Sequence, residues 1–297
     1  MKYSSQDKSI MRLLTKTYGR TQRWISLRHD FRDAKRRLLS STDLTNDEKN
    51  ILKNVSLKVH AADTMYVGNA FHYLSVGLSA CRCIREVLGR FPKKHTVDSV
   101  LDFPSGYGRV LRFLRIMFAN SDITAADIDS TALNFCGHSF SVTTLPSKKT
   151  LTDMSLHRRF DLIWCGSLFT HIDEQAARNL LQLFHDHLSD TGICMFTTHG
   201  QSSIDWVLGK QLTYGLTEDA QQKIIQEFQS NGYGYADYPN SSEYGISMVS
   251  HQRMRELAER IGRWKETAFL EHAWDNHHDV YAFAMQMPHR VNPGRSS

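Results

Sequence analysis

The 297-residue chain holds no run of 18 consecutive apolar residues, which excludes a membrane-spanning helix on length. Its first 25 residues lack an uninterrupted apolar core, so no secretory leader is expected. Cysteine is sparse. Cys81, Cys83, Cys136, Cys165 and Cys194 are scattered and odd in number. The last three sit in apolar surroundings, where a reduced cysteine behaves as a small hydrophobe. Cys81-Arg-Cys83 has no second pair to complete a zinc site. No internal repeat occurs. These absences fit a reduced, cytoplasmic enzyme of one main domain with additions, and the length suffices for a large core.

Excess positive charge is missing from most of the chain. Residues 1–40 carry eleven Lys and Arg against Asp7, Asp30 and Asp33, a net +8, while the whole chain carries +5. The other 257 residues therefore sum to about −3. Ile10, Leu13, Leu14 and Tyr18 fall near helical spacing in this arm, as do Trp24, Leu27, Phe31 and Leu38. A basic amphipathic helix suits an anionic membrane surface, a nucleic acid or an acidic partner. The plainer reading, which we favour, is a helix packed over the main domain with its charges solvated.

What is present centres on Val100-Leu-Asp-Phe-Pro-Ser-Gly-Tyr-Gly-Arg-Val-Leu-Arg-Phe-Leu114. A short apolar run ends in Asp102, passes through Ser105-Gly106-Tyr107-Gly108 and enters an amphipathic segment with Val110, Leu111, Leu114 and Met117 at helical spacing. Strand, glycine turn and helix present backbone N–H groups to a nucleotide-like cofactor, and the glycines let the backbone approach it. About 20 residues on, Ser121-Asp-Ile-Thr-Ala-Ala-Asp-Ile-Asp129 reads as a second strand ending in two carboxylates. Asp127 directly ends the apolar run and is placed for a ribose diol; Asp129 reads as the cap of a helix starting at Ser130. A dinucleotide fingerprint needs a third glycine, and Leu111 stands there, which ranks a nicotinamide oxidoreductase last.

The run Asp102-x-x-x-Gly106-x-Gly108 resembles motif I of the class I S-adenosylmethionine-dependent methyltransferases. Pro104 replaces that motif's usual first glycine; it fixes φ and has no N–H to donate. Downstream, Phe160-Asp-Leu-Ile-Trp-Cys-Gly-Ser-Leu-Phe-Thr-His-Ile172 resembles the family's fourth strand, and a helix from Asp173 to about His187 follows. Gly192 to Gly200 reads as a fifth strand after a Ser189–Gly192 turn, His251 to Ile261 as a helix, and Lys265–Trp274 with Asp279–Met287 as a closing antiparallel pair. The resemblance covers about 95–287. It implies a doubly wound, Rossmann-like α/β sheet, mostly parallel with an antiparallel last strand, preceded by N-terminal helices and carrying an inserted lid. The expected organisation is a basic helical arm at 1–40, a helical cap at 41–94, the core at 95–200 and 250–290, and a substrate lid at 201–249.

The cap reads as helix from Leu44, after a Ser41-Thr42-Asp43 cluster, to about Gly89, with a break near His60–Asn69. Tyr66, Asn69, His72 and Tyr73 are candidates to cover the cofactor. The lid is rich in aromatics, and Asn231 to Gly245 reads as a long irregular loop within it. Its aromatic content suits sugars or planar small molecules, Tyr244 among the candidates; a small satellite core is the plainer reading.

The resemblance implies S-adenosylmethionine as the cofactor. Ser105, Gly106 and Gly108 would cradle its methionyl end, Asp102 would brace that loop, Asp127 would hold the ribose, and Cys165, Gly166 and Ser167 would flank the donor. His171 and His199, after the fourth and fifth strands, are the candidate bases, since imidazole titrates near neutrality. The loop Trp274-Asp-Asn-His-His-Asp279 has side chains suited to a polyhydroxylated substrate or a divalent metal, and also reads as a hairpin turn. Trp274 and His277 are assigned to substrate, and no metal is assigned. The expected reaction methylates a hydroxyl or amine of a small molecule or glycan. A protein methyltransferase or a non-catalytic cofactor-binding partner subunit are the alternatives. Nucleic acid is not expected as acceptor, because Cys165-Gly-Ser-Leu168 differs from the Asn/Asp-Pro-Pro-Tyr/Phe of nucleic-acid amino methyltransferases.

Overall fold

The computed structural model describes residues 27–91 and 96–286. Most of the basic arm, including Ile10, Leu13, Leu14, Tyr18 and Trp24, lies outside the described residues. Residues 27–39 are helical (α1), and Phe31, Ala34 and Leu38 form a buried stripe against Tyr73, Leu74 and Leu78. Their i, i+3, i+7 spacing puts all three on one face, while Arg32, Asp33, Arg36 and Arg37 between them are exposed. This part of the arm packs over the main domain.

Helix α2 (Asn46–Asn54) starts two residues later than the sequence suggests. Its cap is Thr45, not the Ser41–Asp43 cluster, because Thr45 and Glu48 close a reciprocal capping box. After a 15-residue irregular stretch, α3 (Ala70–Leu88) begins at an Asn69 cap and buries Tyr73, Leu74, Cys81, Ile84 and Val87. Asn69 and Tyr73 thus serve the fold: the Tyr73 hydroxyl donates to Asp63 at 2.6 Å.

The sheet holds seven strands in the order β3-β2-β1-β4-β5-β9-β8. In chain order these are β1 (Ser99–Asp102), β2 (Asp122–Asp127), β3 (Thr143–Pro146), β4 (Phe160–Cys165), β5 (Leu188–Thr198), β8 (Trp264–Trp274) and β9 (His278–Met285). The pairs among β1 to β5 are parallel, while β9 runs antiparallel to both β5 and β8. Helices α4 (Leu111–Met117), α5 (Ser130–Phe140), α6 (Glu174–Asp186) and α9 (His251–Glu259) connect them. The expected doubly wound, mostly parallel sheet with an antiparallel last strand is what forms. β5 already starts at Leu188, so the expected Ser189–Gly192 turn is strand.

Both faces are covered, so the central strands read as continuous apolar runs rather than alternating ones. Leu101, Ile163, Cys194, Phe196, Tyr281 and Phe283 point to the α6/α9 side; Val100, Leu162, Trp164, Ile193, Met195 and Val280 point to the α3/α4/α5 side. The order reverses direction between β1 and β4, so a crevice opens at the carboxyl ends there.

The 201–249 insertion contributes α7 (Gln201–Leu208), α8 (Glu218–Asn231) and a separate antiparallel pair, β6 (Tyr233–Asp237) with β7 (Gly245–Val249). The irregular loop expected from Asn231 to Gly245 is therefore mostly a hairpin. Ile204, Val207, Ile224, Phe228, Ile246 and Met248 give this insertion its own small core. Among the described residues, no helix is long and apolar enough to cross a membrane.

Candidate active site

Three carboxyl-end loops meet at the crevice. The first follows β1. The Phe103–Pro104 peptide is cis, and the chain stays in register with its neighbours: Phe103 N–H donates to Trp164 O at 3.0 Å and Ser105 N–H to Ala126 O at 2.9 Å. Gly106 and Gly108 take φ of +50° and +77°, values a side-chain-bearing residue adopts only at a cost. A Cβ on Gly106 would meet open space, whereas one on Gly108 would lie 2.4 Å from the Phe140 ring. Gly106 is thus the open face of the turn and Gly108 its packed face.

Asp127 ends β2 and is tied to that turn. Its Oδ2 accepts the Gly106 N–H at 2.7 Å and its Oδ1 accepts the Asp129 N–H at 2.9 Å. Asp129 caps α5 by accepting from Thr131 and Ala132, as its spacing suggested. Ile128 between them is 66% exposed, a large apolar side chain left bare beside two carboxylates.

Asp102 departs from expectation. Its carboxyl makes no hydrogen bond to the glycine turn; Oδ2 is buried without a partner. Burial, with Asp127 nearby adding like-charge repulsion, pushes this carboxyl well above the ordinary carboxylate range. The bracing expected of Asp102 comes instead from Arg112, which the sequence reading did not single out. This guanidinium is 1% exposed and donates to Gly108 O at 2.8 Å, Lys58 O at 2.8 Å and the Tyr73 hydroxyl at 3.0 Å. Tyr107 was likewise missed: its ring stacks on His60 at 4.9 Å and its hydroxyl donates to Asp129 at 3.1 Å.

The second loop follows β4. The Cys165 side chain is fully buried in the core, and that burial pushes its thiol well up. Gly166 lies against Trp274, whose ring is 3.0 Å from where a Cβ would stand. Ser167 N–H donates to Thr197 Oγ1 at 2.9 Å, which joins this loop to β5. A 3-10 turn, Leu168–Thr170, then presents His171. The His171 Nδ1–H donates to Gly245 O at 2.8 Å, which leaves the Nε2 lone pair free. Tyr244, 45% exposed, stacks on the His171 ring at 4.9 Å and 22°. Burial lowers the His171 pKa, so the ring is neutral near pH 7.

The third loop follows β5 and meets the β8–β9 turn. Asp275 and Asn276 at that turn both have positive φ, +59° and +52°, so the expected hairpin turn is present. It carries His277 and His278 to His199, with ring centroids 5.0 and 4.8 Å from the His199 ring. Burial, reinforced by the neighbouring rings, holds His199 and His278 well below the ordinary histidine value. Trp274 is 3% exposed and donates its indole N–H to Val76 O at 3.0 Å, so it walls the site from within. His72 sits 3.2 Å from Asp275 at the rim.

The doubly wound sheet gathers its glycine turn, carboxylate tip and histidine-bearing loops at the switch point, where open α/β sheets take their ligands. Residues 72–263 match the family described as "Methyltransferase domain", and the chain belongs to that family. It is a methyltransferase whose methyl donor is S-adenosylmethionine.

Among solved structures, the chain is similar to DesVI of Streptomyces venezuelae, with 13% identity over 77% of this chain and 100% of that one, at a TM-score of 0.51. A putative S-adenosylmethionine-dependent methyltransferase of Listeria monocytogenes aligns at 10% identity, over 70% of this chain and 100% of that one, at a TM-score of 0.49. One from Clostridium acetobutylicum aligns at 12% identity, 76% and 96% coverage, and a TM-score of 0.48. At such identities the likeness concerns the fold. No curated protein sequence matches the chain.

The residues present fit the cofactor. Open space adjoins Gly106, an unpartnered Asp102 oxygen sits at the end of β1, and the bare Ile128 offers an apolar surface for a planar base. Asp127 keeps acceptor capacity for a diol, since each carboxylate oxygen accepts more than one hydrogen bond.

Proposed function

We propose that this enzyme methylates a hydroxyl or amine of a small molecule or glycan, with His171 taking the acceptor's proton. One observation carries this reading. His171 has its Nδ1–H fixed on Gly245 O and its Nε2 free, and it lies in the loop that begins with Ser167 beneath the exposed Tyr244 ring.

When bound, S-adenosylmethionine supplies an electrophilic methyl group already activated by the sulfonium charge. The protein's own tasks are alignment, water exclusion and proton removal. Ser105, Gly106 and Gly108 form the turn that would take the methionyl end, Asp127 would take the ribose, and Cys165, Gly166 and Ser167 would flank the donor. Trp274 supports Gly166 from behind. His171 Nε2 would accept the proton as a neutral imidazole. His199, the other candidate base, is 3% exposed and supports the same wall through Ser247 O, at 3.3 Å from its Nδ1.

The acceptor class rests on the aromatic rim. Tyr238 and Tyr244 flank His171, while Tyr214 and Trp206 flank His277, whose Nε2 lies 2.8 Å from the Tyr214 hydroxyl. Such rings suit flat or sugar-like acceptors through face contacts. A cytoplasmic setting accords with five buried cysteines, none of them paired. The outward charges of 27–40 remain available to an anionic surface or an acidic partner.

The test is an acceptor screen with isotope-labelled S-adenosylmethionine against hydroxylated and amino small molecules, glycans and peptides. Label entering a small molecule or glycan supports the proposal. Label entering peptides alone would replace it with a protein methyltransferase.

A further inference from the structure

We propose that His199, His277 and His278 form a binding site for one divalent transition-metal ion of the zinc class. One ring nitrogen from each of the three lies within 4.8 Å of those of the other two. The three come from two places in the chain, His199 just past β5 and the pair at the β8–β9 turn. The pairing of β5 with β9, which sets Thr198 opposite Asp279, fixes their approach.

Each ring also has one nitrogen in a hydrogen bond, an arrangement that recurs around metal-ligating histidines. His199 Nδ1–H donates to Ser247 O at 3.3 Å, His277 Nε2 meets the Tyr214 hydroxyl at 2.8 Å, and His278 Nδ1 meets Thr197 Oγ1 at 3.2 Å. One nitrogen per ring is left with no hydrogen bond among the described residues. Among the described residues, no nitrogen of the three histidines is a fully enclosed side-chain atom without a partner. Their free nitrogens therefore remain reachable by an ion.

The ligand set selects the metal. Three neutral imidazoles without a bound carboxylate suit Zn²⁺, Co²⁺, Ni²⁺, Cu²⁺ or Fe²⁺ and not Mg²⁺ or Ca²⁺. A tetrahedral ion at the usual Zn–N distance of about 2.0–2.1 Å sets its nitrogens roughly 3.3 Å apart. Closing from 4.8 Å to that separation takes small rotations of the rings, and His277, on a turn, is the freest to make them.

Three protein ligands leave a fourth position, the pattern of catalytic rather than structural zinc. It lies near the donor loop, since Thr197 Oγ1 contacts His278 and also accepts the Ser167 N–H. An ion there lowers the pKa of a coordinated water or hydroxyl, its proton passing to solvent. The site itself stands on the three histidines and does not depend on the choice of methyl acceptor.

The test uses the full chain, stripped with a chelator and titrated with Co²⁺ and then Zn²⁺. The expected result is one equivalent of Co²⁺ per chain, a visible ligand-field absorption, and its loss when Zn²⁺ displaces the cobalt. His277→Ala, at a half-buried turn residue, should weaken binding by more than the roughly 10–100-fold that losing a supporting hydrogen bond costs. His157→Ala, at an exposed histidine elsewhere, should change nothing. Titration with S-adenosylhomocysteine in parallel reports whether His277→Ala remains folded. Absence of stoichiometric binding, or equal binding in His277→Ala and the unmodified chain, would overturn the site.

Discussion

Asp102 and Asp127 end neighbouring parallel strands with their carboxyls close enough to repel, yet only Asp127 has partners. Asp102 Oδ2 has none. A buried carboxyl kept unpaired at a binding crevice reduces stability, and the cost is consistent with a role toward the cofactor.

Asp102→Asn should therefore stabilise the cofactor-free protein while weakening cofactor binding. The folded-state pKa is raised above the unfolded value of about 3.9, so the Asp102 penalty is absent below that pH and grows as pH rises through the folded value. The expected gain is on the order of 1–3 kcal/mol at pH 7, fading toward pH 4. Denaturant unfolding at both pH values checks it, and equal stabilisation at both would contradict the account.

Gly108→Ala tests the packed side of the turn. The added Cβ meets Phe140 at 2.4 Å, on a backbone with φ of +77°. The expected cost is about 1–3 kcal/mol of stability, together with weaker binding of S-adenosylhomocysteine. Unchanged unfolding and binding would mean that the turn is free to rearrange.

His171→Gln tests the proposed base. With the acceptor in hand, kcat should fall by roughly 10²–10⁴-fold while cofactor affinity stays within a few-fold. Because burial lowers the His171 pKa, activity in the unmodified enzyme should hold below the ordinary histidine value of 6.5 before the acid limb sets in. That limb should vanish in the variant. An unaltered pH–rate profile would move the base elsewhere.

The buried histidines also set a pH dependence of stability. His199 and His278 have folded-state pKa values well below the unfolded 6.5, so the unfolded chain binds more protons between those values. Stability of the metal-free protein should fall as pH drops below about 6.5, by up to ~1.4 kcal/mol per pH unit for each histidine. In His278→Asn the slope should lessen by its share. Asp102 contributes with the opposite sign in both proteins and cancels in the comparison. Denaturation midpoints at pH 7.5, 6 and 5 measure this.

The parts of the site that were legible in the sequence are the local ones. Asp102, Gly106, Gly108 and Asp127 follow from strand, turn and helix signals within 30 residues, and the Asp129 cap follows from its place before Ser130. Arg112 was not legible, because its partners Ser56 and Lys58 lie more than 50 residues away on the covering segment. β6 was missed for a different reason. Gly234 and Gly245 look like loop residues, but they serve close packing: Cβ atoms there would lie 2.2 Å from Ile224 O and 1.9 Å from Ala236 O. β3 is a short, largely exposed edge strand without an apolar pattern. The histidine cluster was half visible. His277 and His278 stand together in the chain, but His199 joins them only through the antiparallel pairing of β5 with β9.

The most direct test of the cofactor assignment is calorimetric titration of the full chain with S-adenosylmethionine, S-adenosylhomocysteine and NAD, repeated with Asp127→Ala. Binding of the first two in the micromolar range, with no NAD binding and at least a roughly 10–100-fold loss in Asp127→Ala, is expected from the lost charge-assisted hydrogen bonds. Binding of NAD alone, or S-adenosylmethionine affinity unaffected by removal of Asp127, would contradict the site described above.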